Sequence, residues 1–220
     1  IGNYKESIET YNIFLSYSLL SPSSFVYYNL GYAYFKQKEY RKAKNNFRKF
    51  TKISQDSSYL NDALLRTADC YYMLSEFSMA EKNYNSAIEY ALFDTDYAIY
   101  NRSVCLGLIG KSATKVKLLN VIENNFKESA YYDDALLDLA DHYKNTGKTS
   151  LAISYYDSLS VHTEDIETQA RVNVHKGMIH LNMNNVDAAI QSFMVVIDNY
   201  VKTNYFKEAL SGLQTAYISI

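Results

Sequence analysis

A phrase that returns every 35 to 37 residues constrains this chain more than any other feature. Val26, Ala63, Ala98, Ala135, Val172 and Ala209 mark the first helix of successive units, and Ala43, Ala80, Ala152 and Ala189 mark the second. Each of those four alanines is followed four residues later by an aromatic: Phe47, Tyr84, Tyr156 and Phe193. A period in this range belongs to helical repeat arrays, in which a unit buries its apolar faces only by stacking on its neighbours.

Composition agrees with an all-helical chain. One proline and seven glycines in 220 residues leave little material for β-turns or flexible linkers. No apolar run approaches the ~20 residues that span a bilayer, so direct membrane insertion is not expected. Neither end shows a basic segment followed by an apolar stretch and a cleavage site, so no targeting signal is visible. Residues 1–110 hold 12 basic and 11 acidic side chains and residues 111–220 hold 10 and 13, which leaves no field to steer nucleic acid. Cys70 and Cys105 each fall seven residues after a first-helix marker. Equivalent points on stacked units lie ~10 Å apart, beyond disulfide reach, so both read as small buried hydrophobes.

The chain opens on a second helix at Gly2 with no first helix before it, and Ser21-Pro22-Ser23-Ser24 supplies a stop and N-cap chemistry for the next. Spacing then predicts a half-unit at 1–21, units at 22–56, 57–92, 93–127, 128–162 and 163–201, and a half-unit at 202–220. All of it reads as one solenoid, a piece of a longer protein. Lys115 stands where the third unit should carry its small alanine, and Gly107-Leu108-Ile109-Gly110-Lys111-Ser112 reads as an inter-helix turn matching Gly147-Lys148-Thr149.

Leu30-Gly31-Tyr32-Ala33-Tyr34, Tyr40-Arg41-Lys42-Ala43 and Phe47 together resemble the tetratricopeptide repeat signature. The resemblance covers almost the whole chain, with a period slightly longer than the family's and without its usual unit-ending proline. It implies an all-α, tetratricopeptide-like α-α superhelix: a right-handed solenoid of antiparallel helix pairs, about twelve helices in all, with first helices lining a concave groove. The segment from Ile122 to Leu136 resembles the inter-unit segment of bacterial cell-envelope members, the Tol-Pal coordination protein and outer-membrane assembly lipoproteins. That implies a periplasmic or envelope-associated setting.

Within that resemblance the groove residues are Phe25, Tyr28, Tyr32, Phe35, Leu65, Asp69, Tyr72, Tyr97 and Tyr100. Exposed aromatic area on rigid helices suits an extended or helical peptide, since tyrosine joins a large contact area to a polar tip. Family members that clamp acidic C-termini of heat-shock chaperones carry Lys and Asn at points held here by Tyr28, Tyr32, Leu65 and Asp69, so that ligand class is not expected. Of the cations Arg41, Lys42, Lys44, Arg48, Lys49 and Lys52, four, Arg41, Lys44, Arg48 and Lys52, share one side of a helix and make a basic strip read as a solvated outer face. Asp133, Asp134, Asp138 and Asp141 make an acidic counterpart that could wall the groove against a basic ligand.

His142, His162, His175 and His180 lack metal-ligand spacing and read as packing residues, and no hydrolase, metalloprotease or paired-cysteine motif occurs. The expected function is therefore a non-catalytic scaffold for a protein or peptide partner, without cofactor or metal. The alternative is an architectural spacer whose groove stays empty. The uncapped terminal helices are candidates for end-to-end self-association.

Overall fold

The computed structural model describes residues 3–17 and 23–219. Within them the chain forms twelve helices and no strand: α1 (Tyr4–Tyr17), α2 (Ser24–Lys36), α3 (Tyr40–Ile53), α4 (Ser57–Met73), α5 (Phe77–Tyr90), α6 (Thr95–Leu108), α7 (Ser112–Asn125), α8 (Tyr132–Asn145), α9 (Thr149–His162), α10 (Ile166–Asn182), α11 (Val186–Asn199) and α12 (Phe206–Ile218). They divide into two compact units, Ile1–Ile122 and Glu123–Ile220. In the first unit each helix from α1 to α5 packs on its successor, as do α8 to α11 in the second, where α10 also touches α12.

The repeat markers are the core. Ala43, Ala63, Ala80, Ala135, Ala152, Val172, Ala189 and Ala209 are fully buried, as are Phe47, Tyr156 and Phe193. A small residue lets two helices approach, and the aromatic one turn further on fills the space this leaves. At Gly31 and Gly177 the approach is too close for a side chain: a Cβ there would stand 2.7 Å from the Phe47 ring and 2.5 Å from the Phe193 ring. The Leu-Gly pair of the repeat signature is thus a packing requirement imposed by the ring opposite.

Turns inside the units repeat as strictly as the helices. Lys38, Ser75, Gly110, Gly147 and Asn184 all have left-handed backbone, with φ of 60°, 60°, 77°, 75° and 61°. The residue after each donates its N–H five residues back: Glu39 to Tyr34, Glu76 to Tyr71, Lys111 to Leu106, Lys148 to Tyr143 and Asn185 to His180, at 2.8–2.9 Å. This is the left-handed helix C-cap that satisfies orphan carbonyls. The 107–112 segment is such a turn, as its spacing predicts.

Local chemistry starts three other helices. Asp56 accepts from the N–H groups of Ser58 and Tyr59, Asp165 from Thr168, and Asn185 from Ala188. Ser23 sits at the N-cap of α2 but makes no side-chain capping bond, which corrects part of that expectation. Ser21 and Pro22, like the expected limits at Gly2 and Ile220, lie outside the described residues. Lys115 is accommodated because Gly107 on α6 faces it: a Cβ at 107 would lie 3.2 Å from the Lys115 Cδ. The aliphatic stem takes the room that a Cβ at 107 would fill.

Both cysteines are buried and free. Cys70 packs with Ala43 and Phe47, and Cys105 with Ala98. Burial pushes both thiols up to about 12. Among the described residues no helix is long and apolar enough to cross a membrane.

Candidate functional site

Three first helices of the first unit, α2, α4 and α6, bring the site together. Tyr28 and Tyr32, one helical turn apart on α2, both donate their hydroxyls to Asp62 Oδ2 on α4, at 2.8 and 2.5 Å. One turn further along α4, Arg66 reaches Asp62 Oδ1 through Nε at 3.5 Å and binds Asp69 Oδ2 through Nη1. Asp69 Oδ1 then accepts from Tyr84 on α5 at 2.7 Å and Tyr97 on α6 at 2.6 Å, and the Arg66 guanidinium lies 5.7 Å from the Tyr97 ring centre. A buried carboxylate is tolerable only with donors around it, and the chain supplies them from four helices.

Burial, followed by the neighbouring carboxylates, raises the pKa of Tyr28, Tyr32, Tyr84 and Tyr97, so these phenols hold their protons and act as donors. Asp69 is also raised: desolvation outweighs the opposing pull of Arg66 and the two tyrosines.

Two clefts flank this network. One, of about 200 Å³, is lined by Tyr28, Ser58, Tyr59, Asp62 and Phe93. The other, of about 310 Å³, lies around Arg66 and Asp69 with Phe35, Tyr40, Tyr72, Met73, Tyr97 and Asn101 among its walls. Met73, Tyr59 and Phe93 are substantially exposed.

Of the residues expected in a groove, Tyr28 lines the first cleft, and Phe35, Asp69, Tyr72 and Tyr97 line the second. Phe25 is exposed and braces Tyr59 edge-on at 4.7 Å. Tyr32 lies between the clefts on Asp62, and Tyr100 is half-buried on α6. Leu65 is a correction. It is fully buried in the apolar cluster that α4 builds where α5 packs on it, together with Ala68, Tyr84 and Ala98. Sequence reasoning missed Asp62 and Arg66. The available signal was an Asp-x3-Arg-x2-Asp run, charges one turn apart on an otherwise uncharged helix.

The second unit holds a related cluster with a different balance. Asp141 on α8 is met by Tyr156 on α9, by Arg171 and His175 on α10, and by Lys144 one turn along. Burial pushes its pKa up, but His175, Tyr156, Arg171 and Lys144 together hold it well below the usual carboxylate range. Asp141 is therefore engaged within the chain, contrary to the idea that the whole acidic run faces a ligand. On α3, Lys44 pairs with Glu76 at 3.0 Å and Lys42 with Glu39 at 2.5 Å, while Arg41, Arg48, Lys49 and Lys52 are exposed.

Residues 26–57 and 170–200 match the tetratricopeptide repeat model. The chain thus carries tetratricopeptide repeats, and its fold is that of tetratricopeptide-repeat proteins. It is similar to YrrB, a TPR protein with an unusual peptide-binding site, at a TM-score of 0.66 and 14% identity over 97% of this chain and 98% of that one. It is also similar to PilF of Pseudomonas aeruginosa (TM-score 0.63, 14% identity, 96% and 99% covered) and to PilW, a type IV pilus biogenesis factor (0.58, 16%, 98% and 91%). At such identities the likeness is one of fold. No curated protein matches the chain significantly in sequence.

Proposed function

We propose that this chain is a non-catalytic protein-interaction scaffold whose α2, α4 and α6 face binds an extended or helical segment of a protein partner in the bacterial cell envelope. The observation that carries the reading is the pair of aromatic-walled clefts on either side of one pre-ordered network of Asp62, Arg66 and Asp69. Rings fixed by hydroxyl bonds give contact area at little further entropy cost, which favours binding by preorganisation. Support for the envelope setting comes from the resemblance of residues 122–136 and the fold shared with PilW.

Selection of random displayed peptides on the chain tests this. The expected peptides lose binding to Tyr72→Ala or Met73→Ala, in the larger cleft. Selected peptides that bind both variants as well as the parent would end the reading.

A second reading, an architectural spacer, draws on the same hydroxyls: Tyr28, Tyr32, Tyr84 and Tyr97 are all tied between helices, as a purely stiffening network requires. It expects no peptide at all from that selection.

A further inference from the structure

The smaller cleft has a composition unlike that of the larger one. Its walls are the rings of Tyr28, Tyr59 and Phe93, and the one charged side chain among its lining residues is Asp62. We propose that this pocket receives a basic side chain, lysine or arginine, from the bound segment, with Asp62 as its counter-ion. The proposal rests on the peptide-groove reading above and names the partner chemistry at one point of it.

Ring geometry supports a cation. Tyr28 and Tyr59 stand 5.2 Å apart at 86°, so they form two walls of a corner, and Phe25 meets Tyr59 edge-on at 90°. Aromatic walls attract cations through the ring quadrupole, most strongly where water is partly excluded. At about 200 Å³ the cleft is smaller than the ~300–1,000 Å³ typical of metabolite pockets, which suits the end of one side chain.

Asp62 has acceptor capacity left on one oxygen. Oδ2 takes both tyrosine hydroxyls, whereas among the described residues Oδ1 meets only the Arg66 Nε at 3.5 Å, beyond the 2.7–3.2 Å of a good N–H···O bond. Arg66 makes its short contact with Asp69 instead. An incoming ammonium or guanidinium would find a carboxylate oriented by two phenols and only weakly compensated.

The third wall is held by a strained loop. Ala91 and Asp94, on either side of Leu92 and Phe93, both have left-handed backbone, with φ of 48° and 51°. The buried Asn61 donates to the Phe93 carbonyl at 3.3 Å, anchoring the loop where Phe93 lines the cleft. Neither left-handed residue is glycine, so the conformation is maintained at a cost, a condition that clusters at ligand clamps.

The test uses displayed random peptides selected on the chain, then measured against Asp62→Asn and Tyr59→Ala. Asp62→Asn keeps an oxygen acceptor for the tyrosines, and Tyr59 is exposed, so its variant carries the test alone if Asp62→Asn unfolds. The expected peptides share one Lys or Arg whose replacement by Ala weakens binding about tenfold, a difference that both variants abolish. Peptides that depend on Tyr72 yet share no basic residue, or whose basic residue is insensitive to both variants, would overturn this proposal and leave the groove reading standing. Failure to recover any peptide would overturn both.

Discussion

The hydroxyl of Tyr84 donates to the carboxylate of Asp69, fifteen residues earlier, at 2.7 Å. Tyr156 donates to Asp141 across the same separation. Where the first-helix position holds Tyr32 or Met178 instead of Asp, the residue fifteen further on is phenylalanine, Phe47 or Phe193. The choice between tyrosine and phenylalanine in the repeat thus follows whether a carboxylate waits opposite, since a buried hydroxyl and a buried carboxylate each need a partner.

Tyr84→Phe should destabilise the chain by about 1–3 kcal/mol by leaving Asp69 one donor short. Phe193→Tyr should also destabilise, because its hydroxyl enters a site built around Gly177 and Gly212 with ring contacts only. Urea unfolding followed by circular dichroism measures both, and an unchanged midpoint for either would break the rule.

Glycine has two separate uses. Gly177→Ala places a Cβ 2.5 Å from the Phe193 ring and should cost about 1–3 kcal/mol, partly recovered by adding Phe193→Leu. Gly110→Ala meets nothing within 4 Å but keeps a φ of +77°, so its cost is backbone strain of roughly 1–2 kcal/mol that no second substitution in the core relieves. Conversely, Ser75→Gly at φ 60° should raise the thermal midpoint slightly. The three thermal melts, with and without the Phe193 change, separate these effects.

The two aspartates should respond to pH with opposite sign. Asp141 is depressed in the folded state, so its stabilisation is present above the unfolded value of about 3.9 and is lost as pH falls through the folded value. Asp69 is raised, so the folded chain holds that proton longer and stability declines as pH rises from about 3.9 through the folded value. Asp141→Asn should therefore flatten the acid loss of stability, and Asp69→Asn should flatten the decline on its alkaline side. Unfolding midpoints of the two variants across acid to neutral pH check the signs.

Cys70 and Cys105, with thiols pushed up to about 12, should react with iodoacetamide at pH 8 far more slowly than the unfolded chain does. Mass spectrometry of labelling in increasing urea should show both modified together with unfolding. Rapid labelling of either in the native chain would contradict its burial.

Much of the fold was legible because the repeat writes the core several times. Ala43, Ala80, Ala152 and Ala189 lie at zero exposure where spacing put them, and the turn at Gly110 repeats at Gly147. Lys38, Ser75 and Asn184 adopt the same left-handed turn with no glycine to announce it. The candidate site was legible only by face: Tyr28, Phe35, Tyr72 and Tyr97 do line clefts, whereas Leu65 is covered and Asp62 and Arg66 went unnamed.

By itself the sequence determined the helices, their period and the small-and-aromatic core, because burial in a repeat array is a periodic property of nearby residues. Only the tertiary structure decided which polar groups meet. Tyr28 finds Asp62 across 34 residues and Tyr97 finds Asp69 across 28, pairings that depend on how one first helix lies against the next. A hydrogen bond needs its two atoms about 3 Å apart, and no spacing along a single helix sets a distance between two.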